Sequence, residues 1–187
     1  MINPRDILDF WFGHPTSPDY GQPQAYWFKK SDTFDAEIRS KFEPVLMDYL
    51  QHKETIQLDC SQDYLATIIL LDQFTRNMYR NTPKAFEMDS DALKLARECI
   101  DKGYYQQLPP FQKTFVLLPL MHAEDLAMQT LCVNMAKDLG NPQTIDYAIQ
   151  HKNIIEKFHR FPHRNQILGR ASTKEEQEFL TQPNSSF

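Results

Sequence analysis

Apolar residues recur at helical spacing along most of the chain, in segments separated by proline, glycine and polar breaks. Residues 4–12 open with Pro4, whose fixed φ suits a first helical position, and close at Gly13; Ile7, Leu8, Phe10 and Trp11 form the apolar face. Pro15, Pro18 and Pro23 make 14–24 a loop. Asp32 is placed to cap a helix towards Gln51, with Phe34, Ile38, Phe42, Val45, Leu46, Tyr49 and Leu50 at steps of three and four, and Pro44 is expected to kink or split it. Ser61 starts a helix to Tyr79 that is apolar almost all round from Leu65 to Leu71, the mark of a central, buried helix. Further helices are expected from Ser90 to Ile100, from Pro109-Pro110 with an interruption at Pro119, from Glu124 to Leu139, and from Pro142 to Phe161. Ser172 with Glu175, or Thr173 with Glu176, matches a capping box for a last helix to Leu180. No pair of strands or hairpin turn stands out. The pattern predicts an all-α fold, about eight helices in antiparallel pairs, forming a single domain over 1–182 with a flexible tail at 183–187.

Composition adds exclusions. With 187 residues and 41% hydrophobic positions, 13 of them Phe, the chain can bury a sizeable core. A net charge of −5 with scattered lysines argues against a nucleic-acid partner, which calls for a basic face. The longest apolar run, Leu65 to Leu71, is too short for a membrane span, and Met1 to Asp6 lacks the basic and apolar regions of a signal peptide. Cys60, Cys99 and Cys132 are odd in number and far apart, which fits neither a disulfide framework nor a zinc site and suits a reducing cytoplasm. No cofactor signature is present.

The candidate chemistry lies where polar groups interrupt apolar faces. Asp72 follows Leu65 and Ile68 round the helix, Arg76 and Arg80 continue its row at steps of four, and Asn77 flanks them. A buried carboxylate needs a partner, and Arg76 is one turn away. This is either an ion pair leaving the core for solvent or a polar pocket with guanidinium forks for an anion. His122 follows the face of Phe115 and Leu118, with Glu124 and Asp125 just after it. His151 and His159 are two turns apart, too far to share one metal; His159 and His163 have the right spacing, but Pro162 intervenes, so no metal site is assigned. The densest cluster is Arg160-Phe161-Pro162-His163-Arg164-Asn165. Four readings stay open for it: a latch to a carboxylate such as Asp72 or Glu124, a site for a small anion or carboxylate-bearing peptide, acid–base catalysis by His163, or a solvated turn.

Asp72-Gln73-Phe74-Thr75-Arg76-Asn77, His122-Ala123-Glu124-Asp125 with Gln129, Tyr147-Ala148 with His151, and Arg160 to Asn165 through Ser172-Thr173 and Glu175-Glu176 resemble the bacterial family known as domain of unknown function 924. The resemblance spans nearly the whole chain and takes in Phe10-Trp11-Phe12 and Tyr26-Trp27-Phe28. Family members usually carry proline where this chain has Thr75, and His-Ser-Glu where it has His122-Ala123-Glu124. The resemblance implies a tetratricopeptide-like helical array and brings no activity with it. Such arrays often present a concave face to a peptide, an expectation by fold alone.

Together these observations predict a cytoplasmic binding module with a polar pocket for an anionic small molecule or peptide terminus. The expected binding residues are Asp72, Arg76, Asn77, His122, Glu124, His151, Arg160, His163, Arg164 and Asn165. A hydrolase or transferase using His163, or His122 with Glu124, is the alternative reading, and a purely structural latch is another. Trp27 and Phe28 leave a homodimer interface open.

Overall fold

The computed structural model describes residues 3–27 and 29–186, and among these the secondary structure is helical throughout, with no strand. Phe28 lies outside the described residues. The helices are α1 (Pro4–Phe12), α2 (Asp32–His52), α3 (Ser61–Ile68), α4 (Thr75–Met78), α5 (Asp89–Asp101), α6 (Tyr104–Gln107), α7 (Pro110–His122), α8 (Leu126–Leu139), α9 (Pro142–Phe158) and α10 (Lys174–Leu180). A π-helical segment, Ile69–Phe74, joins α3 to α4. Among the described residues no helix is long and apolar enough to cross a membrane. The chain groups into two compact units, residues 1–80 with 84–119, and residues 81–83 with 120–187.

The first unit is built on aromatic side chains. Asn3 caps α1 by accepting the Arg5 amide, and the helix buries Ile7, Leu8, Trp11 and Phe12. The Trp11 ring stands 5.4 Å from Phe74 and 5.8 Å from Phe115, while Phe12 lies 5.2 Å from Phe115. Edge-to-face pairs of this kind add about 0.5–1.5 kcal/mol each beyond their burial. Trp27 belongs to the same cluster, 5.0 Å from Phe115, and its Nε1 donates to the Trp11 carbonyl at 2.9 Å. Gly21, at φ +73°, packs where a Cβ would come within 2.7 Å of the Phe111 ring, so only glycine fits there.

Several boundaries differ from the sequence expectation. α2 runs unbroken through Pro44, because Pro44 and the Ser40 carbonyl it deprives of a donor lie on an exposed stretch where water can replace the lost bond. Its cap is Ser31, whose hydroxyl accepts the Phe34 amide at 3.3 Å; Asp32 is the first helical residue. α5 starts at Asp89 rather than after Ser90 and has no side-chain cap. α7 continues through Pro119. The helix expected from Ser61 to Tyr79 is interrupted by the π segment.

In the second unit, α8 starts after Glu124 because Asp125 caps it, accepting the Ala127 and Met128 amides at 2.7 and 3.0 Å. Gly140, left-handed at φ +77°, ends α8, and Asn141 caps α9 with Pro142 in its first turn. α9 stops at Phe158 because His159 turns left-handed, at φ +58°. Ile154, Ile155 and Phe161 are buried together, with Phe158 and Phe179 against them. Ser185 is buried and its hydroxyl donates to the Leu180 carbonyl at 3.2 Å.

Candidate functional site

Asp72, Arg76 and Asn77 belong to the first unit. Asp72 sits in the π segment, 1% exposed. The Gln73 amide donates to its Oδ2 at 2.5 Å and Arg76 Nη2 to its Oδ1 at 3.3 Å. The same Nη2 donates to Asp89 Oδ1 at 3.0 Å and Nη1 to the Ala85 carbonyl at 3.2 Å. Burial alone would weaken the Arg76 charge; the carboxylates of Asp72 and Asp89 outweigh it and raise its pKa. The π turn leaves its mark at Thr75, whose hydroxyl donates to the Leu71 carbonyl at 2.6 Å.

Asn77 and Arg80 turn to α2. Asn77 Nδ2 donates to Asp35 Oδ1 at 2.7 Å, and Arg80 holds both oxygens of Asp35 through Nε and Nη2, at 2.6 and 2.9 Å. Burial pushes the Asp35 pKa up, but the bonds from Arg80 and Asn77 and the charges of Arg80 and Lys30 prevail and lower it. These residues, with Asp32, Arg39 and Ser40, line an open depression of about 420 Å³.

The other seven predicted residues belong to the second unit, where they divide into two groups. The first is a chain of ion pairs. Arg160 donates through Nε and Nη2 to both oxygens of Glu176, at 2.6 and 2.8 Å, and through Nη2 to the Ala171 carbonyl at 2.9 Å. Asn165, fully buried, donates to Glu176 Oε2 at 3.2 Å and to Ser172 Oγ at 3.1 Å. Its Oδ1 accepts Arg170 Nε at 3.0 Å. Arg170 then reaches Glu124 with both terminal nitrogens, at 2.6 and 2.9 Å, and the Phe161 carbonyl at 3.1 Å. Glu124 also accepts the Phe161 amide at 2.8 Å. Burial raises the Glu124 pKa, yet the bonds from Arg170 and Phe161 and the charges of Arg170 and Arg164 hold it below the usual range.

The second group surrounds the Phe161 ring. The Arg164 guanidinium stacks over it at 4.6 Å, with His151 at 5.5 Å and His163 at 5.6 Å. His122 and His151 are 6.1 Å apart, and Arg164 Nη2 donates to the His122 carbonyl at 3.1 Å. His122 and His163 are partly exposed, whereas His151 and Arg164 are buried. His151 Nδ1 is 2.8 Å from the Tyr147 carbonyl, which makes it the protonated nitrogen of a neutral ring. Burial first, then the positive charges of His122, His163 and Arg164, lower its pKa to about 3. A ring of such low basicity does not act as a general base near neutrality. Among the described residues no group of three or more His, Cys, Asp and Glu is placed to hold a metal.

No spacing in the sequence marks Asp35, Asp89 and Arg170 as partners of these residues, and Glu176 enters the sequence patterns as half of a capping box and within the family resemblance. Gln129 was noted only within the resemblance; it is fully buried, and its amide donates to the Met121 and Ala123 carbonyls at 2.6 and 2.8 Å, closing the end of α7.

The model of a family described as bacterial protein of unknown function (DUF924) matches residues 7–184. Among solved structures, the protein of unknown function ATU0120 from Agrobacterium tumefaciens is 34% identical, with a TM-score of 0.83 over 95% of this chain and 96% of that one. No curated protein matches.

Proposed function

Since the chain belongs to the DUF924 family of bacterial proteins of unknown function, its activity has to be read from its own residues, and we propose that it is a binding module for an anionic group, received in the second unit around Phe161. The observation that supports this is the assembly of two imidazoles and one guanidinium about a single phenyl ring, with a third imidazole, His122, 6.1 Å from His151, and with His122 and His163 reaching the surface. A site of that composition has a positive potential, which adds to burial, the larger cause, in keeping a proton off His151, and a carboxylate or phosphate oxygen would relieve it. Glu124, Arg160 and Asn165 take the other role foreseen for the motif: their bonds to Arg170 and Glu176 are those of a latch that holds the cluster in place.

Side-chain NMR tests the proposal. Titration with inorganic phosphate or acetate is expected to shift the His122 and His163 ring signals saturably, leaving exposed His14 unmoved, and Arg164→Gln is expected to weaken the response. Equal shifts at all three histidines, or none, would overturn the reading. Loss of the fold in Arg164→Gln with no anion response in the wild type would leave the latch as the whole role.

A further inference from the structure

A groove of about 550 Å³ opens in the first unit between the end of α2, the 53–59 connection, α3 and α5. Tyr49 lines it and is only 6% exposed. Its hydroxyl makes no hydrogen bond to another described residue and its oxygen still reaches solvent, so the groove is where its bonding capacity is met. Burial, and then the charges of Asp91, Glu54 and Glu98, push the Tyr49 pKa up to about 12, so the hydroxyl keeps its proton in a negative local field. All three carboxylates line the groove.

Two of the lysines around it are already paired with groups of the lining itself. Lys53 Nζ pairs with Asp91 at 2.9 Å. Lys102 Nζ donates at 2.6 Å to the Tyr64 hydroxyl, which donates to Glu98 at 3.1 Å. With Asp59 and Lys94 the lining holds four carboxylates against three ammonium groups, and Leu58 and Leu95 give it an apolar wall. Polar floor and apolar wall together match a ligand with a charged head and an aliphatic stem.

We propose that this groove binds an alkylammonium group, its head among Glu54, Glu98 and the Tyr49 hydroxyl and its methylenes along Leu58 and Leu95. The site is independent of the Phe161 cluster. The group can come from a free diamine or from a lysine side chain of a partner.

Calorimetric titration of the full chain with cadaverine, against glutarate as a dianion of similar length, decides it. Cadaverine is expected to bind saturably, to weaken as salt rises, and to lose about two- to tenfold in affinity in Tyr49→Phe and about tenfold in Glu98→Gln. Tyr49→Phe removes one oxygen and no described bond, so it carries the test even if Glu98→Gln does not fold. A short end-blocked lysine peptide binding tighter than cadaverine assigns the ligand to a protein; weaker binding assigns it to a free amine. Glutarate binding as well as cadaverine, no saturable cadaverine binding, or cadaverine affinity unchanged in both variants would overturn the proposal. Arg164→Gln is expected to leave cadaverine affinity unchanged, which separates this site from the anion cluster.

Discussion

Arg160 and Glu176 face each other with two parallel hydrogen bonds, Nε to Oε1 at 2.6 Å and Nη2 to Oε2 at 2.8 Å. Glu176 also accepts the Thr173 amide at 2.7 Å and the Asn165 amide at 3.2 Å, with its side chain 3% exposed. Glu176→Gln keeps the size but loses the charge and one acceptor oxygen, so it is expected to lower stability by about 1–3 kcal/mol in urea unfolding. The bond from Arg160 outweighs burial and, with those from Thr173 and Asn165, carries the Glu176 pKa from 4.5 down to about 2. A pKa lowered by folding stabilises the native state above the unfolded value, and that contribution fades as pH falls from 4.5 towards 2. The variant should therefore lose stability less steeply across that window. An acid limb as steep as the wild type's would show that Glu176 does not carry it.

Arg170 joins Glu124, Asn165 and the Phe161 carbonyl through one planar fork. A lysine reaches with a single point and cannot reproduce that geometry. Arg170→Lys is expected to cost about 1–2 kcal/mol, a Tm drop of about 2–8 °C for a chain of this size. Calorimetry checks it; a Tm within a degree of wild type would mean that the fork is dispensable.

These two latches mark where the sequence is legible and where it is not. The Thr173–Glu176 box is local, three residues within one turn, so its pattern is visible without a structure. The Asp72–Arg76 pair is visible for the same reason, one helical turn. Arg170 meets Glu124 across 46 residues and Arg80 meets Asp35 across 45, and no spacing rule links such positions before the chain folds. The helices follow their apolar periods and caps, whereas the π segment does not announce itself, because an extra residue in one turn changes the pattern by a single step. Pro44 and Pro119 read as breaks since propensity ignores whether water or packing can compensate the lost bond.

His151 gives a prediction in the opposite chemical class. Its pKa of about 3 lies far below the 6.5 of an unperturbed imidazole. The unfolded chain takes up a proton at this residue below pH 6.5 and the native state does not, so the residue's stabilising contribution holds above 6.5 and declines as pH falls towards 3. His151→Phe is expected to flatten the stability profile between about pH 6.5 and 4, after a constant loss of about 1 kcal/mol from the missing Nδ1 bond to the Tyr147 carbonyl. In the wild type the His151 ring signals should not titrate before the protein unfolds; a midpoint near 6 by NMR would refute the buried, neutral assignment.

Arg76 bridges two carboxylates, Asp72 at 3.3 Å and Asp89 at 3.0 Å, while bonding the Ala85 carbonyl at 3.2 Å. Asp72 is almost wholly buried, so deleting the guanidinium strips a cation from a carboxylate that solvent hardly reaches. Arg76→Ala should cost about 2–4 kcal/mol, the larger part being the stranded charge rather than the contact itself. Asp72→Asn removes that charge at nearly constant volume, so the double variant is expected to be more stable than the sum of the single losses allows, by about 1–2 kcal/mol. Strict additivity in urea unfolding would show that Asp72 draws its stabilisation from Gln73 and its other surroundings and that Arg76 serves Asp89 and the Ala85 carbonyl instead.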